Sequence, residues 1–304
     1  MNILVTGGTG LLGAVISKRL GEHHAVAAVS RNPKGSSTAA CDLTKPAEVE
    51  KLFSKQAFDA VIHTAAYSDV DGCELDPALA HASNALSTKY LAAHCGQKKV
   101  PFVYVSTDYV FDGRKRTPYT EGDRVCPVNI YGLTKLAGES YARALAPLSA
   151  IVRTSWLFGP GNPKNFVNHI TAKLRKDGAA DVLVEQEDSP TSVGDLSEAL
   201  THIVQYLVDA KKQSKPVHEI FHVCNAGGTT RYAMTVKIAE ILGLKDARIG
   251  KIDKSAIPDR PALRPHPYVV MSCAHYEKTF GVRLRPWQES LEEYLKSPVS
   301  CASS

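Results

Sequence analysis

The run Thr6-Gly7-Gly8-Thr9-Gly10-Leu11-Leu12-Gly13 follows directly on an apolar, β-branched segment, Ile3-Leu4-Val5. Few octapeptides leave a chain less freedom. Glycines at 7, 10 and 13 between a strand pattern and a helix pattern predict a dinucleotide turn. Gly7 permits the tight turn, Gly10 lets the backbone approach a pyrophosphate, and Gly13 lets the helix lie close on the strand. The helix N-terminus then offers N–H groups and a positive dipole end to the phosphates. Thr9, Leu11 and Leu12 complete the set of loop residues expected at the cofactor.

The rest of the first half fits such a turn. Short apolar runs at 3–5, 25–29, 60–63, 102–106 and 150–153 alternate with helical patterns at 11–20, 45–53, 77–95 and around 131–145. That alternation predicts right-handed βαβ units, hence an α/β fold with a doubly wound parallel sheet of the Rossmann type. Near-continuous apolar strands fit a sheet covered on both faces. After about residue 155 the pattern loosens. Helices are expected at 165–174, 192–208 and 231–242, strands at 182–184 and 220–223, and a proline-rich stretch at 258–267. Residues 1–155 are read as the cofactor-binding domain. Residues 156–304 are read mainly as a smaller C-terminal substrate-binding lobe, interleaved with the core and ending in a frayed tail at 300–304.

The second strand ends Val29-Ser30-Arg31-Asn32. No carboxylate stands there to bind the ribose hydroxyls of NAD, and Arg31 is placed to pair with a 2′-phosphate. The expected cofactor is therefore NADP(H), held by Ser30 and Arg31 and flanked at the adenine by Asp42 and Leu43. Thr64-Ala65-Ala66 follows the third long strand at the carboxyl edge, where small side chains suit close passage of a dinucleotide.

Tyr131 and Lys135 stand four residues apart in a helical pattern and share a face. A neighbouring ammonium is expected to lower the phenol's pKa, so that Tyr131 can protonate a carbonyl oxygen while hydride arrives at carbon. Lys135 can also bond the cofactor ribose. Thr107, at the end of a strand, can donate to the same oxygen. The expected catalytic residues are thus Thr107, Tyr131 and Lys135, with Tyr131 and Lys135 also touching the cofactor.

Composition narrows the alternatives. The formal net charge of +5 is spread along the chain, which argues against a nucleic-acid-binding role. Seven cysteines, none in a C-x-x-C pair, fit reduced thiols better than a disulfide framework or a zinc site. No His/Cys/Asp/Glu spacing suggests a metal. The N-terminal apolar stretch is broken by glycines and lacks a basic leader, so neither a signal peptide nor a membrane span is expected, and the protein is read as cytoplasmic.

Several stretches carry a family resemblance. Beside Thr6 to Gly13 these are Ala65-Ala66-Tyr67-Ser68-Asp69-Val70-Asp71 with Glu74, and Ser106-Thr107-Asp108-Tyr109-Val110-Phe111-Asp112-Gly113. Further on come Pro127-Val128-Asn129-Ile130-Tyr131-Gly132-Leu133-Thr134-Lys135-Leu136-Ala137-Gly138-Glu139 and Arg153-Thr154-Ser155-Trp156-Leu157-Phe158-Gly159. The chain resembles the extended short-chain dehydrogenases/reductases. Within them it is similar to the dTDP-4-dehydrorhamnose reductase family and to a relative of that family, the regulatory β subunit of methionine adenosyltransferase.

The resemblance implies a Thr107/Tyr131/Lys135 triad, with Thr107, Asp108 and Trp156 near a substrate sugar. It also implies reduction of the C4 ketone of a nucleotide-linked 4-keto-6-deoxyhexose to an L-rhamnosyl nucleotide. Arg260-Pro261 matches an Arg-Pro motif that in relatives lies near the nucleotide sugar, so Arg260 is expected to clasp a diphosphate. The stretch after it, Ala262-Leu263-Arg264-Pro265-His266-Pro267, departs from the family pattern. A homodimer is also implied. The alternative is an NADP-binding regulatory subunit whose partner is the methionine adenosyltransferase catalytic subunit. Thr107 and the Arg153-Thr154-Ser155-Trp156 stretch follow the reductase pattern.

Overall fold

The computed structural model describes residues 1–35, 38–162, 165–253 and 260–297. The expected tail at 300–304, and residues 258–259 at the start of the proline-rich stretch, lie outside them.

The first half runs β1 (Asn2–Thr6), α1 (Leu11–Gly21), β2 (Ala25–Ser30), β3 (Ala39–Ala40), α2 (Pro46–Lys55) and β4 (Ala60–His63). Next come two short helices, α3 (Val70–Leu75) and α4 (Pro77–Ala80), and a π-helical turn (His81–Leu86) that leads into α5 (Ser87–Lys98). Then follow β5 (Phe102–Thr107), a 3₁₀ turn (Asp108–Val110), α6 (Ile130–Leu145) and β6 (Leu148–Thr154). The single helix expected over 77–95 is thus α4, a π turn and α5 in succession. α3 was not expected: six residues carrying Asp71 and Glu74 show no apolar period.

The second half contributes β7 (Leu157–Phe158), α7 (Phe166–Asp177), β8 (Ala179–Leu183), β9 (Glu187–Asp188), β10 (Thr191–Ser192), α8 (Val193–Lys212) and β11 (Val217–His222). It closes with β12 (Thr229–Thr230), α9 (Arg231–Ile241), β13 (Arg248–Ile252), α10 (Ala274–Phe280) and α11 (Trp287–Lys296).

Seven strands form the central sheet in the order β11-β6-β5-β4-β1-β2-β3. Every pairing in it is parallel. The strand order reverses between β1 and β4, so a crevice opens at their carboxyl ends. Alternate residues of each strand feed opposite layers. Ile3, Val5, Ile62, Val103 and Val152 pack with Ile16 of α1 and with Leu196, Leu200 and Ile203 of α8. Leu4, Val61, Phe102, Tyr104 and Ile151 pack with Phe53 of α2, Leu91 of α5 and Ala142 of α6. Each such large side chain, fully buried, contributes roughly 1.5–3 kcal/mol.

α8 and β11 belong to this sheet layer although they come after residue 155. A separate core, with Ile170 and Leu174 of α7, Val182 of β8, Met234 and Ile238 of α9 and Leu291 of α11, builds the smaller lobe. Its β8 and β13 pair in parallel. Among the described residues no helix is long and apolar enough to cross a membrane.

Candidate active site

The glycine loop closes the crevice from below. Gly7 turns the chain at φ +73°, and a side chain there would meet the Ala65 backbone at 2.9 Å. A Cβ at Gly13 would collide with the Gly7 carbonyl oxygen, so α1 lies on the turn as only glycine allows. The Gly10 N–H donates to Gly7 O at 2.8 Å. Gly10 caps α1 without a side-chain acceptor, and the first turn of α1 holds no acidic residue. That leaves the positive end of the helix to an anion.

Across the crevice the Thr64 hydroxyl donates to Thr6 O at 2.6 Å, and Ala65 N–H donates to the Thr6 hydroxyl at 3.2 Å. His63, fully buried, lies between Thr6 (2.7 Å) and Thr88 (3.1 Å). Burial, and then the Lys135 charge, hold its imidazole well below the usual range. It is a core histidine that ties β1 and β4 to α5.

A cleft of about 660 Å³ follows the carboxyl edge of the sheet. Its lining includes the loop residues Gly7, Thr9, Gly10, Leu11, Leu12 and Gly13, and beyond β2 it takes in Ser30, Arg31, Asp42 and Leu43. Thr64, Ala65 and Ala66 line it at mid-length, and Thr107, Asp108, Tyr131, Lys135 and Trp156 line its far end. Arg260 alone among the expected residues is not in the lining. It is exposed, and its charge acts on Asp71 instead. The guanidinium that reaches Asp71 is that of Arg264, at 2.8 Å.

α6 presents Tyr131 and Lys135, and Thr107 ends β5. Asn129 caps α6 by accepting from Gly132 N–H at 2.8 Å, which puts Tyr131 in the first turn and Lys135 one turn further in. The Tyr131 ring meets the Tyr109 ring edge-on at 5.6 Å, and the Thr107 hydroxyl acts on its phenol. The Lys135 ammonium donates to Val105 O at 2.7 Å and lies 4.2 Å from the Tyr104 ring centre. Burial pushes it down to about 7, opposed by Glu139. Burial also raises the Tyr131 phenol above its ordinary value, opposed by the Thr107 hydrogen bond. The expected lowering of Tyr131 by Lys135 is therefore not seen here. Burial takes from the lysine much of the charge that would have done it.

Thr107 is 6% exposed. Its hydroxyl lies 2.9 Å from Asp108 Oδ1 and accepts from Tyr109 N–H at 3.2 Å. The Ser155 hydroxyl donates to Asp108 Oδ2 at 2.7 Å. Burial, then the negative charge of Asp188, raise the Asp108 carboxyl. Asp188 is raised by burial as well, while Arg231 and the Gln186 amide lower it. Trp156 takes φ +43°, a conformation costly for an aromatic residue, and its ring tilts against Phe166 at 5.3 Å.

Sequence reasoning did not single out Asp188, Ser155, Tyr109 or Asn84. Asn84 sits in the π turn, fully buried, and joins Tyr67 N–H (2.8 Å) to the Thr134 hydroxyl (3.1 Å) beside Lys135. A π turn at a functional site is a recurrent device, but nothing in the residue types foretells it.

The geometry has counterparts. The model of the family described as "RmlD substrate binding domain" matches residues 1–299. The chain is 34% identical over 303 residues to a dTDP-4-dehydrorhamnose reductase of Mycolicibacterium smegmatis, covering 99% of this chain and 87% of that protein. A solved dTDP-4-dehydrorhamnose reductase from Clostridium acetobutylicum superposes with a TM-score of 0.86 at 35% identity, over 97% of this chain and 98% of that one. Another, from Bacillus anthracis and in complex with NADP, gives 0.87 at 26% identity over the same shares, 97% and 98%.

Proposed function

This chain belongs to the RmlD substrate binding domain family, and from that premise we propose that it reduces the C4 ketone of a dTDP-linked 4-keto-6-deoxyhexose with NADPH. One observation carries the reading: the glycine loop, Arg31 and the Thr107/Tyr131/Lys135 set line a single cleft. The cradle fits the cofactor, because Gly7 and Gly13 hold the turn and α1 against the Ala65 backbone and the Gly7 carbonyl as only glycine can, while Gly10 keeps the backbone bare where a pyrophosphate would approach. Arg31, with no carboxylate beside it at the end of β2, selects the 2′-phosphate of NADPH over NADH.

Bound NADPH supplies the hydride. The protein does the rest. Thr107 and Tyr131 hold the ketone oxygen, and Tyr131 gives it a proton as the carbonyl carbon is reduced. Lys135, reaching from the second turn of α6, takes the ribose hydroxyls. Asp108 and Trp156 bound the sugar. Arg260, outside the cleft lining, is given no contact.

Relatives matched along the whole chain carry the reductase name, which favours an enzyme over a regulatory subunit of methionine adenosyltransferase. A cytoplasmic homodimer completes the reading, and light scattering of the purified protein tests the dimer. The deciding experiment is NADPH oxidation with a dTDP-4-keto-6-deoxyhexose and a 3,5-epimerase. Tyr131→Phe is expected to lose about 10²–10⁴ in kcat while keeping its affinity for NADPH. Full turnover by that variant would remove Tyr131 as the acid.

A further inference from the structure

A sugar nucleotide carries two negative phosphates, and no residue placed so far meets them. Arg260 is exposed and lies outside the cleft lining. Arg264 is engaged elsewhere, donating to Asp71 at 2.8 Å and to Ala262 O at 2.9 Å. Arg31 and Lys135 are assigned to the cofactor. Arg231, the first residue of α9, is different. It is half-buried, and among the described residues no hydrogen bond or ion pair holds its guanidinium. Its Nε is buried without a partner. A charged donor left unpaired away from water is unfavourable, so such a group calls for an anion.

Aromatic rings hold Arg231 in place instead. Its guanidinium carbon lies 5.7 Å from the centre of the Phe166 ring. The Phe166 ring lies 5.3 Å from that of Trp156, which lines the far end of the cleft. The cation therefore stands one ring beyond the wall expected to meet the sugar, on the side of the lobe. Phe166 opens α7 as Arg231 opens α9, so the first residues of two helices meet there. Neither helix has an acid in its first turn, and their positive ends add to the guanidinium. One acid is near. Asp188 pairs across β9 and β12 with Thr229, two residues before Arg231, and feels the Arg231 charge. Yet it forms no ion pair with Arg231 and takes the Gln186 amide at 2.9 Å. The Arg231 charge also reaches Tyr109, another residue of the lining.

We propose that Arg231 binds the phosphates of the sugar nucleotide, its guanidinium stacked on Phe166 and its outer nitrogens donating at the lobe side of the cleft. The inference rests on the reductase reading and deepens it. The cofactor takes the cleft from Arg31 to Lys135, so the nucleotide end of the substrate leaves past Trp156 toward the lobe. Arginine suits that position better than lysine. Its planar fork stacks on a ring and still presents two donors to a phosphate, and it is more weakly hydrated than an ammonium.

The test is dTDP titrated by calorimetry into the NADP⁺-saturated protein, so that the cofactor's own phosphate site is filled. Arg231→Met should weaken dTDP about 10- to 100-fold, with the affinity for NADP⁺ unchanged. The affinity of the native protein for dTDP should fall as salt rises, and the Arg231→Met dependence should be flatter. Arg231→Lys, which keeps the charge and loses the fork, should fall between the two. With a 4-keto sugar nucleotide the loss should appear as a raised KM. Superimposable titrations of the native protein and Arg231→Met overturn the proposal. So does a weakening with unchanged salt dependence, which would mark a general distortion of the lobe. If Asp188→Asn restores dTDP affinity to Arg231→Met, Arg231 is only the counter-ion of Asp188, and the proposal again fails. Should Arg231→Met not fold, Arg231→Gln takes its place. If the native protein binds dTDP but reduces no sugar nucleotide, the reductase reading fails on its own, and the dTDP titration still decides the role of Arg231.

Discussion

An ammonium as enclosed as that of Lys135, 2% exposed, is held by one carbonyl and one ring face. Its ordinary value near 10.4 applies in the unfolded chain, whereas in the fold burial pushes it down to about 7. The unfolded chain therefore binds more protons between these limits. The stabilising contribution is complete above the unfolded value and is lost progressively as pH falls from there to about 7, below which the fold bears the full cost of the charge, on the order of 4–5 kcal/mol. Lys135→Met removes that cost and leaves Val105 O without its donor, worth about 1 kcal/mol. The variant is expected to be inactive and yet more stable than the native protein to urea at pH 6, by at least about 1 kcal/mol, with the gap closing toward pH 9. A destabilised variant at pH 6, or a gap that ignores pH, would refute the buried-charge account. Arg31 stands at the opposite extreme, exposed at the end of β2. Its bonds to a phosphate are charge-assisted, worth about 1.5–3 kcal/mol. Arg31→Ala should accordingly weaken NADPH about 10- to 100-fold in a fluorescence titration and leave NADH unchanged. Equal weakening of both cofactors would take the 2′-phosphate away from Arg31.

At the scale of elements, α6 is the part on which the site depends. Glu139, two turns from Tyr131, is 3% exposed and accepts from the Ser106 hydroxyl at 2.6 Å and from Arg153 at 2.9 and 2.7 Å. This single carboxylate therefore pins α6 to β5 and β6, the strands that end at Thr107 and Thr154. Glu139→Ala leaves a buried guanidinium without its partner and should cost about 3–5 kcal/mol in urea unfolding. Replacing both partners by apolar residues, Glu139→Leu with Arg153→Met, should recover most of it. A single variant within about 1 kcal/mol of the native protein would show the pair to be incidental. The helix itself was legible, since apolar period, capping asparagine and Tyr-x-x-x-Lys spacing all lie within one segment. The strands were legible for the same reason, as unbroken apolar runs. What brings Glu139 to Arg153 is the packing of α6 on β5 and β6. Asp188 reads along the chain as one more acid in Glu185-Gln186-Glu187-Asp188, and its neighbour lies in another element. Nor does an aromatic residue announce a left-handed backbone such as that of Trp156, because packing imposes it. The loop and the triad are local features and could be read. The environment that tunes them is not local.

The whole molecule is two packed bodies, the sheet layers and the lobe, and the segment after Arg260 returns across them. Tyr119 N–H donates to Val270 O at 2.8 Å, and the Asn129 amide donates to Leu263 O at 2.7 Å. The Ala262 N–H reaches Asp71 at 3.2 Å, where Arg264 forms its ion pair. One chain segment thus touches the first turn of α3, the cap of α6 and the strip beside Tyr109, whose phenol feels the Arg264 charge. Burial is the largest single influence and works against the ionised Asp71, but the hydrogen bonds from Arg264 and Ala262 and the charges of Arg264 and Arg260 together outweigh it and hold the carboxyl below the usual range. The pair is only partly buried, so breaking it should cost no more than about 1 kcal/mol of stability. Its effect on the reaction should be larger, because the segment runs beside the cap of α6 and beside Tyr109, which lines the cleft. Arg264→Ala is expected to raise the KM for the sugar nucleotide about tenfold, with kcat and the affinity for NADPH unchanged. The charge-swapped double variant, Asp71→Arg with Arg264→Asp, should return KM toward the native value if the ion pair is what matters. If Arg264→Ala lowers stability and leaves KM alone, the returning segment is scaffold. If the swap fails where the single variant weakened binding, Arg264 touches the substrate directly, and the diphosphate contact expected of Arg260 belongs four residues further along the chain.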